Sequence, residues 1–272
     1  MPLFIVGTPI GNLKDISQRA IETLTTSEII LCESKERAKI IFESLGIKNK
    51  KVITFREDNK IRLTPEIIDY LNSNYHISLI SDAGMPSISD PGSYLINEVI
   101  SKNLPITVIP GPTAFSAALS LCGFNAKEYV FIGFLPRNKK EVENIINFYR
   151  TREVLLIFYE SPYRILNSLK IIDEMDPSSS IFIAREMTKK HEEFIRGSPS
   201  LLIEILNKKE IKGEITVVVK FSPKTIKTLY DYELLKILKR EKLKTKTIAK
   251  ILASYYKVPI RSIYNEIIKD NN

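Results

Sequence analysis

The sequence predicts an α/β protein: two α/β domains followed by a small C-terminal helical extension. Three observations carry this. Short apolar runs alternate with helical segments from residue 3 to about residue 220, the pattern of sheets covered by helices. The alternation restarts after Gly123, so a second unit begins there. Beyond Phe221 the strand pattern stops, and Ile, Leu and Lys recur at helical spacing. The chain has 272 residues, too many for one small domain. The expected domains are 1–123, 124–222 and 223–272.

Leu3 to Val6 is an apolar run closed by Gly7 and reads as a buried strand. Asp15-Ile16-Ser17-Gln18 has capping-box spacing and predicts a helix to about Thr25. Ile29 to Cys32 is the second strand. A helix follows from about Lys35, and Gly46 stands where a terminating glycine belongs. Val52 to Phe55 is the third strand. Thr64-Pro65, a capping residue with proline at the first helical position, predicts a helix to Asn74. Ile77 to Ile80 and Ile106 to Ile109 are further strands, and an Ala- and Ser-rich helix follows the second of them. In the second unit Val130 to Phe134 and Val154 to Tyr159 are strands with a charged helix between them. Ser161-Pro162 caps the next helix. Ile181 to Ala184, Glu193 to Arg196 and Ile215 to Lys220 complete a second sheet, and the link between the last two is read as short, which predicts a mixed sheet. Tyr232 to Arg240, Thr245 to Tyr255 and Pro259 to Lys269 are three helical stretches with a helix-turn-helix-like layout.

Composition excludes several classes. Hydrophobic residues are 44% and charged residues 26%, the balance of an ordinary globular chain. Cys32 and Cys122 lie far apart and form no CxxC, and with two histidines, His76 and His191, no metal site is expected. No apolar run approaches a membrane span. The first residues lack the pattern of a secretory signal, so the expected location is the cytoplasm. From Phe221 onward there are 12 Lys/Arg and 5 Asp/Glu, so the tail carries +7 of the +8 net charge. A basic appendage on a near-neutral body points to a polyanion partner, nucleic acid first. The plain alternative is a lysine-rich solvated surface.

Ligands of α/β sheets bind beyond the carboxyl ends of the strands. Gly7-Thr8-Pro9-Ile10-Gly11-Asn12 follows the first strand. Its glycine spacing departs from G-x-G-x-x-G, which argues against a nicotinamide dehydrogenase, although Glu33 ends the second strand where a ribose-binding acid would stand. Ser81 to Gly92, with two Asp, two Gly and two Pro, is far longer than a turn requires and reads as a ligand site. Pro110-Gly111-Pro112-Thr113-Ala114 follows the fifth strand. In the second unit Phe158 to Arg164, Ala184 to Lys189 and Lys212-Gly213-Glu214 each set a carboxylate beside a cation at a strand end. Any one of these alone is most simply a surface ion pair; together, on one rim, they suggest a site.

In that order, GTPIGNLxD, SDAGxPxISDPG, PGPxA, FYESPxR, AREMTK and KGE resemble the small-subunit ribosomal RNA methyltransferase I family of the tetrapyrrole-methylase superfamily. The resemblance runs from Leu3 to about Lys220, and the basic tail resembles the helical extension of many members. It implies a homodimer, with S-adenosylmethionine bound in a cleft between the two domains. It also implies 2′-O-methylation of a ribosomal cytidine, on small-subunit RNA or the assembled subunit. By position, Pro9, Ile10, Asp82, Met85, Thr113 and Ala114 are expected on the N-terminal half of the cofactor site, and Glu160, Ala184 and Gly213 on the other half. Glu160, Glu186 and Lys189 are the expected groups for handling the hydroxyl proton, with shaping of the cleft by ion pairs as their alternative role. The chain departs from the family at Glu33-Ser34-Lys35-Glu36, where many members read E-D-T-R, at Glu57-Asp58-Asn59, where many read E-H-N, and at Met85, where many have Thr. Two other functions compete: methylation of a small tetrapyrrole, which predicts a wide apolar cleft, and non-catalytic nucleic-acid binding through the tail.

Overall fold

The structure is a computed structural model, which describes residues 2–152, 154–222, 232–256 and 258–269. Contacts divide the chain into two compact units, Met1–Ser222 and Pro223–Asn272.

The first unit holds two five-stranded sheets. The first sheet is built from β1 (Leu3–Val6), β2 (Ile29–Cys32), β3 (Lys51–Thr54), β4 (Ile77–Leu79) and β5 (Ile106–Ile109), in the order β3-β2-β4-β1-β5. Every pairing in it is parallel. Side chains alternate between its faces, as the two-residue strand period requires. Leu3, Ile5, Ile29 and Leu31 pack under α3 (Lys60–Asn72) and α4 (Ser93–Ser101). Val6, Ile30 and Cys32 pack under α1 (Gln18–Thr26) and α2 (Lys35–Leu45). With helices on both faces the central strands are buried throughout, which explains their unbroken apolar runs.

The second sheet joins β6 (Glu128–Phe134), β7 (Val154–Glu160), β8 (Ser180–Arg185), β9 (Glu193–Gly197) and β10 (Ile215–Lys220) in the order β6-β7-β10-β8-β9. It is mixed: β6 and β7 are parallel, and the other neighbours are antiparallel. One face carries Leu156, Phe158, Ile183 and Val217 under α6 (Lys139–Tyr149), α7 (Ile165–Met175) and α8 (Pro199–Asn207). The opposite face, through Leu155, Ile157, Phe182 and Val218, takes α5 (Ala114–Cys122). The small residues of α5 therefore serve close helix–sheet packing, with Ala118 fully buried.

Three details differ from the sequence reading. The first helix is capped by Ser17, whose side chain accepts from the Ala20 N–H; Asp15 ends a separate 3-10 turn. The third helix begins at Lys60, so Pro65 lies inside it. The hydrogen bond that Pro65 cannot donate would have gone to the carbonyl of Ile61, a residue 68% exposed, where water can replace it. Burial of Leu63, Ile67, Ile68 and Leu71 along one stripe outweighs the proline signal. Finally, β9 and β10 are separated by α8, which Ser198 caps and Pro199 opens, and the tight connection is the one between β8 and β9.

The second unit contains α9 (Tyr232–Arg240), α10 (Thr245–Tyr256) and α11 (Ile260–Lys269). Leu235, Ile248, Leu252, Ile263 and Ile267 form its own buried core. Lys242, Lys244, Lys246, Lys250 and Arg261 are exposed. No described helix is long and apolar enough to cross a membrane.

Candidate functional site

The turns after β1, β4 and β5 converge. The Gly7 N–H donates to the Ile109 carbonyl at 3.0 Å, which lays the first turn against the third. Gly7 and Gly111 stand face to face: a Cβ on Gly7 would lie 2.6 Å from Gly111 Cα, and one on Gly111 2.7 Å from Gly7 Cα. The glycines are required by this close approach of two backbones. Thr8 and Gly84 exchange backbone hydrogen bonds of 2.8 and 3.1 Å. The buried Thr8 hydroxyl donates to the Ser81 carbonyl at 3.2 Å, and Gly84 turns the chain at a φ of 85°. These polar residues first lock the loops to one another.

The long loop after β4 is unusually bent. Ser87 and Ser89 have φ of 67° and 65°, and across from it Glu186 and Thr188 have 51° and 62°. Non-glycine residues hold such angles only when their surroundings impose them. Thr188 is held by the Asn12 N–H, which donates to its hydroxyl at 2.9 Å. Gly11 packs so closely on Thr188 and Lys189 that a Cβ there would lie 2.6 Å from both side chains. The first motif of the N-terminal half is thus pressed onto the AREMTK segment of the second.

Between them lies a cleft of about 430 Å³, within the size range of small-molecule sites. Ile10, Asp82, Met85, Thr113, Ala114, Glu160 and Gly213 line it. Pro9 and Lys189 line an adjoining lobe of about 170 Å³, which shares Ile10, Arg37 and Asp82 with the larger one. Ala184 and Glu186 are not among the residues lining either space. Ala184 is 1% exposed in the core beneath α5, because alternation along β8 turns it to that face.

Glu160 ends β7 with its carboxylate fully engaged. Its Oε1 accepts from the Ser161 N–H at 2.8 Å and its Oε2 from the Ser168 hydroxyl at 2.6 Å. Arg164 Nε lies 3.5 Å away. Glu186 is held as tightly: Oε1 accepts from Lys189 Nζ and from the Glu214 N–H, both at 2.9 Å. Partial burial pushes the Glu186 carboxyl up, but these two donors outweigh it and hold it below the usual carboxylate range. Burial likewise disfavours the Lys189 ammonium, and Glu186 and Glu214 overcome that and raise it. A Cβ on Gly213 would strike Glu186, so this carboxylate braces the turn before β10.

Sequence reasoning set Glu33 aside together with the dinucleotide fingerprint. The structure returns it to the site. Glu33 lines the cleft, and its Oε1 is buried with no hydrogen-bond partner. Burial, reinforced by Asp90 and Asp82 and opposed by Arg56 and Arg37, pushes its carboxyl up to about 7. Asp90, within the Ser81–Gly92 segment read from the sequence as a ligand site, is pushed by burial up to about 6. Asp82 Oδ1 accepts from the Ser34 N–H at 3.1 Å and its Oδ2 lies 3.4 Å from Arg37 Nε. No sequence signal marked Arg37, because α2 reaches the cleft only through the order of the strands. Apart from the balanced Glu160, the lining carries Glu33, Asp82, Asp90 and Glu214 against the single cation Arg37 among the described residues. Such a cleft favours a ligand bearing positive charge. Among the described residues no cluster of three or more His, Cys, Asp or Glu could hold a metal ion.

Residues 2–201 match the family described as Tetrapyrrole (Corrin/Porphyrin) Methylases. The chain is 41% identical over 217 residues to ribosomal RNA small subunit methyltransferase I of Thermotoga maritima, covering 80% of this chain and 97% of that protein. It is 35% identical over 276 residues to the protein of the same name from Buchnera aphidicola, covering 98% of this chain and 96% of the relative. That second match includes the basic tail. Among solved structures it resembles uroporphyrin-III C-methyltransferase from Thermus thermophilus in complex with S-adenosyl homocysteine. The TM-score is 0.57 at 13% identity, over 80% of this chain and 97% of that one.

Proposed function

Because the chain belongs to the tetrapyrrole methylase family and to its ribosomal RNA small subunit methyltransferase I branch, we propose that it methylates the ribose 2′-hydroxyl of a cytidine in 16S ribosomal RNA, using S-adenosylmethionine. The observation that carries this reading is relatedness of 35–41% to small-subunit RNA methyltransferases across nearly their whole length. The tetrapyrrole enzyme, at 13% identity, shares the fold alone.

The cleft fits the methyl donor. Ile10, Met85 and Ala114 offer apolar wall, and the surplus of carboxylates suits a sulfonium and an ammonium. Pro9, Thr113 and Gly213 supply backbone and small side chains at the rim. Asp82 receives the ammonium or the ribose hydroxyls. Bound S-adenosylmethionine supplies a methyl group on a cationic sulfur; the protein supplies alignment and a place for the proton. Glu160, Glu186 and Lys189 brace the second half of the cleft through the bonds already described, and Lys189 also packs against Gly11 of the first half. The proton of the ribose hydroxyl passes to Glu33, whose buried Oε1 has no hydrogen-bond partner.

Asp82→Ala is expected to weaken S-adenosylmethionine binding about tenfold or more, the scale of a lost charge-assisted hydrogen bond, while the protein stays folded. Titration calorimetry reads this, and wild-type affinity would remove Asp82 from the site.

On this reading residues 1–123 and 124–222 are the two methylase halves, and the tail contacts RNA. Lysines and arginines that neutralise phosphates release counterions, so RNA affinity falls steeply with salt. Truncation after Pro223 is expected to lower RNA affinity and flatten the salt slope with cofactor binding intact, since the cleft residues all precede residue 217. An unchanged slope would make the tail a solubilising cap. Family resemblance supports a homodimer, and a ribosomal substrate supports a cytoplasmic location.

A further inference from the structure

Tyr163 is 95% exposed, more than any other large apolar or aromatic side chain described. It sits in the turn between β7 and α7, directly after Ser161 and Pro162, which line the cleft. That turn is rigid. Glu160 accepts from the Ser161 N–H, and the Arg164 and Ile165 N–H groups both bond the Ser161 carbonyl, at 3.0 and 3.1 Å. The Arg164 guanidinium donates to the carbonyls of Leu135 and Pro136 at 2.8 and 2.6 Å. It thereby ties this turn to the end of β6. Phe134 stands at that end, lines the cleft and is 56% exposed. Its outer face is open, and its ring meets Tyr159 edge-on at 5.7 Å. Arg137, exposed and without an ion-pair partner among the described residues, follows Pro136.

The fold gains nothing from Tyr163, because its ring packs on nothing. Its backbone is nevertheless fixed at the lip of the cleft, on a turn that Arg164 ties to the segment directly after a second exposed ring, Phe134. An aromatic face held on a rigid turn loses little entropy on stacking, and unpaired RNA bases are recognised by such faces. Arg137 is placed to meet the phosphate that accompanies the base.

We propose that Tyr163 is the stacking platform for an unpaired base of the RNA strand entering the cleft, with Phe134 as the inner wall beside it. This rests on the reading of the protein as an RNA methyltransferase. Stacking on an aromatic ring is worth about 1–3 kcal/mol per base, so Tyr163→Ala is expected to raise KM for unmethylated small ribosomal subunits about tenfold. kcat moves by less than KM, and S-adenosylmethionine affinity measured by calorimetry is unmoved. Tyr163→Phe and Tyr163→Trp keep the stacking face and restore KM to within about threefold of wild type. Sedimentation of Tyr163→Ala supplies the control. A loss of self-association with KM unchanged would assign the ring to an interface between copies and overturn the proposal. So would a KM for Tyr163→Ala within twofold of wild type. Failure of the wild-type protein to methylate the subunits would instead overturn the functional reading, so the two failures are distinguishable.

Discussion

Gly7→Ala is expected to disrupt the floor of the cleft and abolish cofactor binding. The added Cβ would lie 2.6 Å from Gly111 Cα and 2.7 Å from Gly111 N. Both are backbone atoms of a turn that is itself hydrogen-bonded back to Gly7 through Ile109. The Met85 side chain, also struck at 2.6 Å, can swing aside, but the Gly111 backbone cannot, so the two turns must separate, and with them the Thr8–Gly84 bridge that holds the long loop. Overpacking of this kind costs about 1–3 kcal/mol, or roughly 2–12 °C in Tm for a unit of this size. Gly197→Ala is the matched control, because the nearest atom there is the flexible Cδ2 of Leu201 at 2.8 Å. Thermal melts and calorimetry compare the two. A Gly7→Ala protein with wild-type Tm and affinity would show that the turns are free to part.

Glu33→Gln is expected to lower kcat by about 10²–10⁴-fold, the usual contribution of a positioned proton acceptor, with cofactor affinity much less affected. The pH profile is the decisive readout. The carboxyl titrates at about 7, and only its ionised form accepts a proton, so wild-type activity climbs as pH rises through that value. The amide has no such limb, and Glu33→Asp recovers part of it. Burial first, then Asp90 and Asp82, sets the limb high, while Arg56 and Arg37 oppose them. An acid limb unchanged in Glu33→Gln would assign the proton to another group. Stability carries the same signature with a definite sign. A carboxyl raised in the folded state contributes stability that is full below its unfolded value near 4.5 and is lost as pH rises through about 7. Glu33→Gln is therefore expected to gain stability relative to wild type at pH 8 but not at pH 4.

The central strands and the loops that follow them were legible in the amino-acid order. Ile29 to Cys32 is apolar without interruption because the strand is covered on both faces, and that pattern is local. Gly46, with φ 68°, ends its helix for an equally local reason. The GTPIGN, SDAGxP and PGPxA segments identified the cleft because each must turn sharply at the end of a strand. The start of α3 was not legible. Its first turn lacks a side-chain cap, and the buried stripe that extends it past Pro65 depends on the sheet beneath. Nor is α8 in the sequence reading, which takes the link between Arg196 and Ile215 as short although Ser198-Pro199 is a capping signal.

What the sequence alone determined about this protein is the α/β class, the basic helical tail, the family and the segments that border the site. Each follows from periodicity, turn chemistry or motif order along a short stretch of chain. Tertiary structure alone decided which charged groups are available to a ligand. Glu160 and Glu186 look as reactive in sequence as Glu33. In the fold Ser168, Arg164, Lys189 and the Glu214 N–H occupy the first two, whereas Glu33 keeps a buried oxygen without a partner. Hydrogen-bond satisfaction and burial depend on residues distant in the chain. The strand order β3-β2-β4-β1-β5, which brings the end of β2 beside the end of β4, sets them here.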